Sequence, residues 1–275
     1  MIAACLESLL AQTYPKQFTE IIAVDNNSSD DTRAVVSRYP VTLLLESELT
    51  TSYAARNQGI AHARGEIVAF LDSDCVAARD WLAELIAPLS DPAVGAVAGS
   101  IEDAPPQSLC EEFTARLRPF GRPERQGLKT LLTANVAIRR SALEAAGMFD
   151  ECLPTAGDVD LGWRLQLCLG LEIADAPAAR VQHIHRSTFS GVFAQYSRYG
   201  KSEILLTTLY GGGGGSLTAS QQLRRMLQQG RAIASYLASF CLRALLWPLR
   251  TDRRHLLWPV FLLTAETSPG SSWPC

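Results

Sequence analysis

Four short stretches of this chain carry carboxylates or imidazoles in places where they could hold an ion or handle a proton. Asp72-Ser73-Asp74 follows the apolar run IVAFL at 67–71, so two carboxylates, two residues apart, close a buried strand. If the chain stays extended there, alternation puts both on one side. Hard oxygen ligands of that kind suit Mg²⁺ or Mn²⁺, which keep open positions for diphosphate oxygens. Asp25 ends a second apolar strand, EIIAV at 20–24, and Asp158 and Asp160 lie in TAGDVDLGWRLQLCLG at 155–170. His183-Ile184-His185, if extended, points both imidazoles to one face. Each feature alone also has an ordinary structural reading: Asp72 and Asp158 as helix caps, Asn135 as a core or turn amide, Arg198 on a surface helix.

The elements that must position these groups alternate. Ile2, Cys5, Leu6, Leu9 and Leu10 trace one helix face that Tyr14-Pro15 ends. After the strand ending at Asp25, the run 26–32 reads as a turn whose Ser and Asp side chains cap a short helix through Val35-Val36. A strand at 41–45, an Ala-rich helix at 52–63 with Gly65 beyond its end, and the strand before Asp72 follow. A helix with Trp81, Leu82, Leu85, Ile86 and Leu89 on one face precedes a strand at 96–98. This order predicts an α/β fold with a mainly parallel sheet flanked by helices, where ligands bind beyond the strands' carboxyl ends. Further on, strands are expected at 131–138 and 181–186, and helices at 141–147, at 158–169 and through Phe193, Tyr196 and Tyr199.

A formal net charge of −3 over 275 residues leaves no electrostatic footprint for a nucleic acid. Seven scattered cysteines without a CxxC pair argue against structural zinc or a disulfide scaffold, and predict buried free thiols in a reducing cytoplasm. The N-terminus opens into a helical pattern with no secretory signal. No GxGxxG follows a strand, which excludes a Rossmann dehydrogenase. Residues 206–216, with glycine at every position from 211 to 215, read as a linker. Residues 217–275 read as a helical appendage too interrupted by arginine to span a bilayer, either packed as a cap or lying at a membrane interface.

Taken together, CLESLLAQTYP, IIAVDNNSSDDT, AARNQGIAHARGEIVAFLDSDC and DWL resemble, in order and spacing, the nucleotide-sugar half of glycosyltransferase family 2, the inverting enzymes with the GT-A fold. The resemblance covers residues 3 to about 205 and implies a GT-A domain at 1–205. It implies metal-dependent transfer of a single sugar, with inversion, from a nucleotide diphosphate-sugar, UDP-sugars favoured, to a saccharide, lipid-linked or other hydroxyl acceptor. It implies Mn²⁺ or Mg²⁺ as cofactor, and a cytoplasmic place, peripheral at the inner face of the membrane. By resemblance, Asp25 contacts the nucleobase, Asp30 shapes its loop, Arg56 approaches base or diphosphate, and Asp72 reaches the ribose or a metal-bound water. Asp74 would ligate the metal with His185, or alternatively His183. Asp158 is the implied general base, and Asn135, Asp160, Arg164 and Arg198 the acceptor or phosphate side.

Three departures stand out. Gly157 occupies a place where the family typically has Glu. QYSRY at 195–199 matches the QxxRW of processive synthases except for Tyr199, which favours transfer of one sugar per encounter. The chain also starts after the apolar strand with which such proteins normally begin, which predicts a fragment or a gap filled by another segment. Two rival readings follow. One is a truncated, inactive domain that binds a partner or membrane. The other is a haloacid-dehalogenase-type phosphatase with Asp72 as nucleophile, Asp74 as acid/base and Lys129 at the phosphate.

Overall fold

The computed structural model describes residues 1–116 and 127–210. Elements in order are α1 (Ile2–Leu10), β1 (Ile22–Asn26), α2 (Thr32–Val36), β2 (Thr42–Glu46), α3 (Ser52–His62), β3 (Ile67–Leu71), β4 (Cys75–Ala77) and α4 (Trp81–Ile86). There follow β5 (Val94–Asp103), α5 (Leu109–Arg116), β6 (Asn135–Arg139), α6 (Arg140–Ala145), α7 (Gly157–Leu167), β7 (Glu172–His183) and α8 (Phe189–Tyr210). The appendage read at 217–275 lies outside the described residues. Helix α8 runs to Tyr210, into the stretch read as linker.

The sheets are mixed, which corrects the expectation of a mainly parallel one. β1 and β2 pair in parallel as a two-stranded sheet, and a five-stranded sheet has the order β3-β6-β5-β7-β4. Within it only β5 and β7 are parallel; β6 runs antiparallel to both β3 and β5, and β4 antiparallel to β7. The reason lies in β6, which enters from the long segment after α5 and inserts between β3 and β5. Among the described residues, no strand joins β1 to β3.

The core is densest on β5 and β6, where Ala96, Val97, Val136, Ala137 and Ile138 are fully buried. α6 and α7 cover one face of the sheet through Leu143, Leu161 and Leu165, and α4 the other through Trp81 and Leu85. Helix α3 is capped by Thr51, whose hydroxyl oxygen accepts from Ala54 N–H at 3.2 Å and donates to the Glu151 carbonyl. That cap ties the helix to the segment before α7.

Several boundaries moved for local reasons. The strand expected at 131–138 begins only at Asn135, because Asn135 N–H closes a turn on the Leu132 carbonyl. Of the strand expected at 181–186, only 181–183 is strand, as the end of the longer β7. Between Gly99 and Ser100 its register against β5 jumps from Ala176 to Arg180. Pro177, which has no N–H for the ladder, lies inside that bulge. Two of the thiols expected to be buried, Cys152 and Cys168, are exposed.

Candidate active site

The Asp72-Ser73-Asp74 segment is a turn and not an extended strand end: Cys75 N–H donates to the Asp72 carbonyl at 2.9 Å. The two carboxylates therefore part company. Asp72 Oδ1 accepts from Arg56 Nη2 at 2.9 Å. The Arg56 guanidinium lies 5.6 Å from the ring centroid of Tyr53 and 6.0 Å from that of Phe149. Those two rings stack on each other at 5.6 Å. The cation–π contacts leave Arg56 a fixed cation at the end of β3.

Asp74 turns the other way. Its Oδ1 is buried and lies 3.4 Å from Nε2 of His183, without the alignment of a hydrogen bond. Its Oδ2 faces Arg186 Nη2 at 3.6 Å. Burial pushes the Asp74 carboxyl up, but His183 and Arg186 outweigh it and hold the group below its ordinary range. The pairing Cys75↔His183 between β4 and β7 brings the imidazole here. His185, the first choice from sequence, goes elsewhere: its Nε2 meets Asp103 Oδ1 at 2.7 Å. The rings of His183 and His185 do share a face, 4.9 Å apart. However, β7 ends at His183, so only that ring reaches Asp74. A buried carboxylate oxygen without a hydrogen bond, beside an imidazole and a second oxygen already near a cation, is a donor set that fits a divalent ion.

Asp158 stands in the first turn of α7, not at its cap; the capping residue is Ala156, in left-handed backbone with φ 62°. Its Oδ1 accepts from Val159 N–H at 3.0 Å and its Oδ2 from Thr133 N–H at 3.3 Å. Burial raises the Asp158 pKa, Arg56 opposes that, and the Asp72 charge adds to it. Arg56 therefore links the two halves: it bonds Asp72 and acts on Asp158. Gly157 explains itself here, since a Cβ on it would come within 2.9 Å of Tyr53 Cε2 and Cζ. The ring of Tyr53 occupies the space a side chain at 157 needs. Helix α8 brings Tyr199 within reach of the same carboxylate charges. Tyr199, held by Gln195 Nε2 at 2.9 Å, is raised in pKa chiefly by burial and also by Asp158 and Asp72.

Other residues singled out in the sequence are placed apart. The Asp25 side chain is 1% exposed and bonds Arg33 Nε at 2.6 Å and Ser28 N–H at 3.3 Å. Burial pushes its pKa up, and those bonds more than reverse it. Asp30 is exposed and caps Thr32 N–H. Asn135 is a core amide: its Nδ2 donates to the Ser100 and Ala179 carbonyls and its Oδ1 accepts from Trp81 Nε1. Asp160 pairs with Arg164, which in turn holds the Ala146 and Met148 carbonyls, and Asp160 also takes the Tyr210 hydroxyl. That network pins the loop after α6 and the end of α8. Arg198 is exposed on α8. Tyr53, Cys75 and Arg186 were missed; Arg186 lies beyond the end of β7, and strand alternation would place it on the face opposite His183, so no sequence signal pointed to it.

The profile of "Glycosyl transferase family 2" matches residues 1–144. The chain belongs to glycosyl transferase family 2. It is 32% identical over 165 residues to glycosyltransferase AglE of Haloferax volcanii, covering 58% of this chain and 54% of that one. It is 33% identical over 196 residues to the pre-mycofactocin glycosyltransferase of Mycobacterium tuberculosis, covering 66% and 41%. The chain thus spans about half the length of these curated relatives. Among solved structures it resembles the mannosyltransferase PcManGT of Pyrobaculum calidifontis, solved with GDP-Man and Mn²⁺. The TM-score is 0.61 and the identity 24%, covering 88% of this chain and 71% of the other. The fold is therefore GT-A. Family membership removes the phosphatase reading, and so does Lys129, whose Nζ bonds Asp175 and the Ile173 carbonyl.

Proposed function

We propose that this family 2 chain transfers a single sugar, with inversion, from a nucleotide diphosphate-sugar to a hydroxyl acceptor. The observation that carries the reading is that one cation, Arg56, bonds Asp72 and acts on the buried Asp158, while Asp74, two residues from Asp72, lies beside His183. Asp74 and His183 would hold a divalent ion; when bound, the ion neutralises the departing diphosphate. Arg56 presents positive charge to the same phosphates while keeping Asp72 in place. Asp158, whose pKa burial raises against the opposing charge of Arg56, accepts the proton of the acceptor hydroxyl as its oxygen attacks the anomeric carbon. Attack opposite the leaving diphosphate inverts the configuration.

Tyr199 and α8 bound the acceptor side, where Tyr199 offers an aromatic face to one saccharide ring. Asp25 and Asp30 shape the loop beside the nucleobase. A divalent ion with the donor accords with the Mn²⁺ of the GT-A neighbour, and a uridine donor is the working choice. Acceptors of the envelope-polysaccharide kind accord with relatives such as the O-antigen chain rhamnosyltransferase WbaN of Salmonella anatum. A place at the inner face of the membrane belongs to this proposal; among the described residues no helix is long and apolar enough to cross one.

The test is a thermal-shift titration with UDP, GDP and dTDP, each with and without Mn²⁺. A ligand at one hundred times its Kd stabilises by about 2.7 kcal/mol. A shift that needs both one nucleotide and the ion supports the reading; a folded sample that responds to none refutes it.

A further inference from the structure

We propose that the thiol of Cys75 is a third protein ligand at the Asp74–His183 site, and that it makes the site select thiophilic ions such as Zn²⁺ and Co²⁺ over Mn²⁺ and Mg²⁺. The placement follows from pairing. Cys75 and His183 stand directly opposite each other on antiparallel β4 and β7, so their side chains share a face. The turn at 72–75 then folds the preceding Asp74 over that same face. One ligand atom each from Asp74, Cys75 and His183 lie within 4.8 Å of one another. These are the three chemistries of carboxylate, thiol and imidazole. Asp74, with 13% of its side chain exposed, is the side from which an ion enters.

The donor set matters for the identity of the ion. A carboxylate with one imidazole leaves the choice among divalent ions open, whereas a sulfur ligand favours Zn²⁺ and Co²⁺. The neighbouring thiol, Cys5 on α1, does not join the set; its Sγ faces the Asp72 carbonyl at 3.7 Å. The fourth position is left to a water or to a ligand oxygen. When an ion binds, the Cys75 S–H bond breaks, its proton passes to solvent and a sulfur–metal bond forms, with no change in oxidation state. Zn²⁺ held this way occupies Asp74 and opposes the ion that arrives with a donor. Only that last consequence rests on the function proposed above; the ligand set is tested without any nucleotide.

The experiment uses the full chain, stripped of metal by chelation and carrying Cys110→Ser, Cys152→Ser, Cys168→Ser, Cys241→Ser and Cys275→Ser, so that Cys5 and Cys75 are its remaining thiols. Titration with Co²⁺ alone is expected to give the near-ultraviolet sulfur-to-cobalt charge-transfer absorption, lost in Cys75→Ser and weakened in His183→Ala. Zn²⁺ should displace the Co²⁺ band at a concentration about tenfold or more below that at which Mn²⁺ does. No band in the parent, or a band that survives Cys75→Ser, overturns the proposal. The parent spectrum decides even where Cys75→Ser does not fold. Failure here leaves nucleotide-dependent thermal shifts, and with them the transferase reading, untouched.

Discussion

Gly157→Ala is the sharpest test of how the base is positioned. The added Cβ would lie 2.9 Å from Tyr53 Cε2 and Cζ and 3.0 Å from Cε1. Tyr53 cannot swing away, since it is 6% exposed and stacked on Phe149, with Arg56 packed against the same two rings. Overpacking of this kind costs about 1–3 kcal/mol. At about 2–4 °C per kcal/mol for a domain of this size, the melting temperature should fall by about 2–12 °C. If α7 shifts instead of the ring, Asp158 moves with it, and a misplacement of about 1 Å lowers turnover by about 100-fold. Differential scanning fluorimetry reads the first effect and a product assay the second. In a Tyr53→Ala background, which creates the missing space, adding Gly157→Ala should cost little, a coupling a double-mutant cycle detects. A Gly157→Ala chain that melts within about 1 °C of the parent, or one that loses as much in the Tyr53→Ala background, would refute the reasoning. The same geometry says why Gly157 stands where the family resemblance led us to expect Glu: the two side chains cannot share that space.

Four further variants have expected outcomes. Asp74→Ala should abolish the ion-dependent part of nucleotide binding in the thermal-shift titration while leaving the fold intact. Asp158→Asn should bind donor normally and lose transfer by about 10²–10⁴-fold, and retained turnover would sink the base assignment. Because burial raises the Asp158 pKa, the native state binds more protons than the unfolded chain at this group, so its contribution to stability is full below about pH 4 and is lost as pH rises through the folded pKa. Asp158→Asn should therefore melt higher than the parent at neutral pH, with the gap closing on acidification. Arg56→Met removes the charge that opposes this rise, so the acidic limb of the pH–rate profile should move to higher pH. Asn135→Leu strands Trp81 Nε1 and two carbonyls in the core and should cost at least about 2 kcal/mol in chemical denaturation, without singling out donor binding.

The sequence made legible what depends on local pattern and left hidden what depends on where distant segments meet. Apolar runs ending in Asp25 and Asp72 marked strand ends, and the Ala-rich run ending before Gly65 marked α3, because burial of a strand and the stop of a helix are written within a few residues. The direction of β6 was not written there, since it depends on which gap in the sheet a returning segment enters. The same holds at the site. That Asp72 and Asp74 face opposite ways follows from one turn hydrogen bond, Cys75 N–H to the Asp72 carbonyl, which no composition rule signals. That His183 and not His185 meets Asp74 follows from the register of β4 on β7, and β4 is three residues long. Asn135, Asp160 and Arg164 have the residue types of a binding site, yet their partners are main-chain carbonyls, one another, the Trp81 indole and the Tyr210 hydroxyl, so their polarity is spent inside the fold. A motif therefore names which residues can do chemistry, while the contacts between segments far apart in the chain decide which of them are free to do it. Arg56 shows the difference: read alone it was a basic residue on a helix, and in the fold it is the cation that both carboxylate groups, Asp72 and Asp158, feel at once.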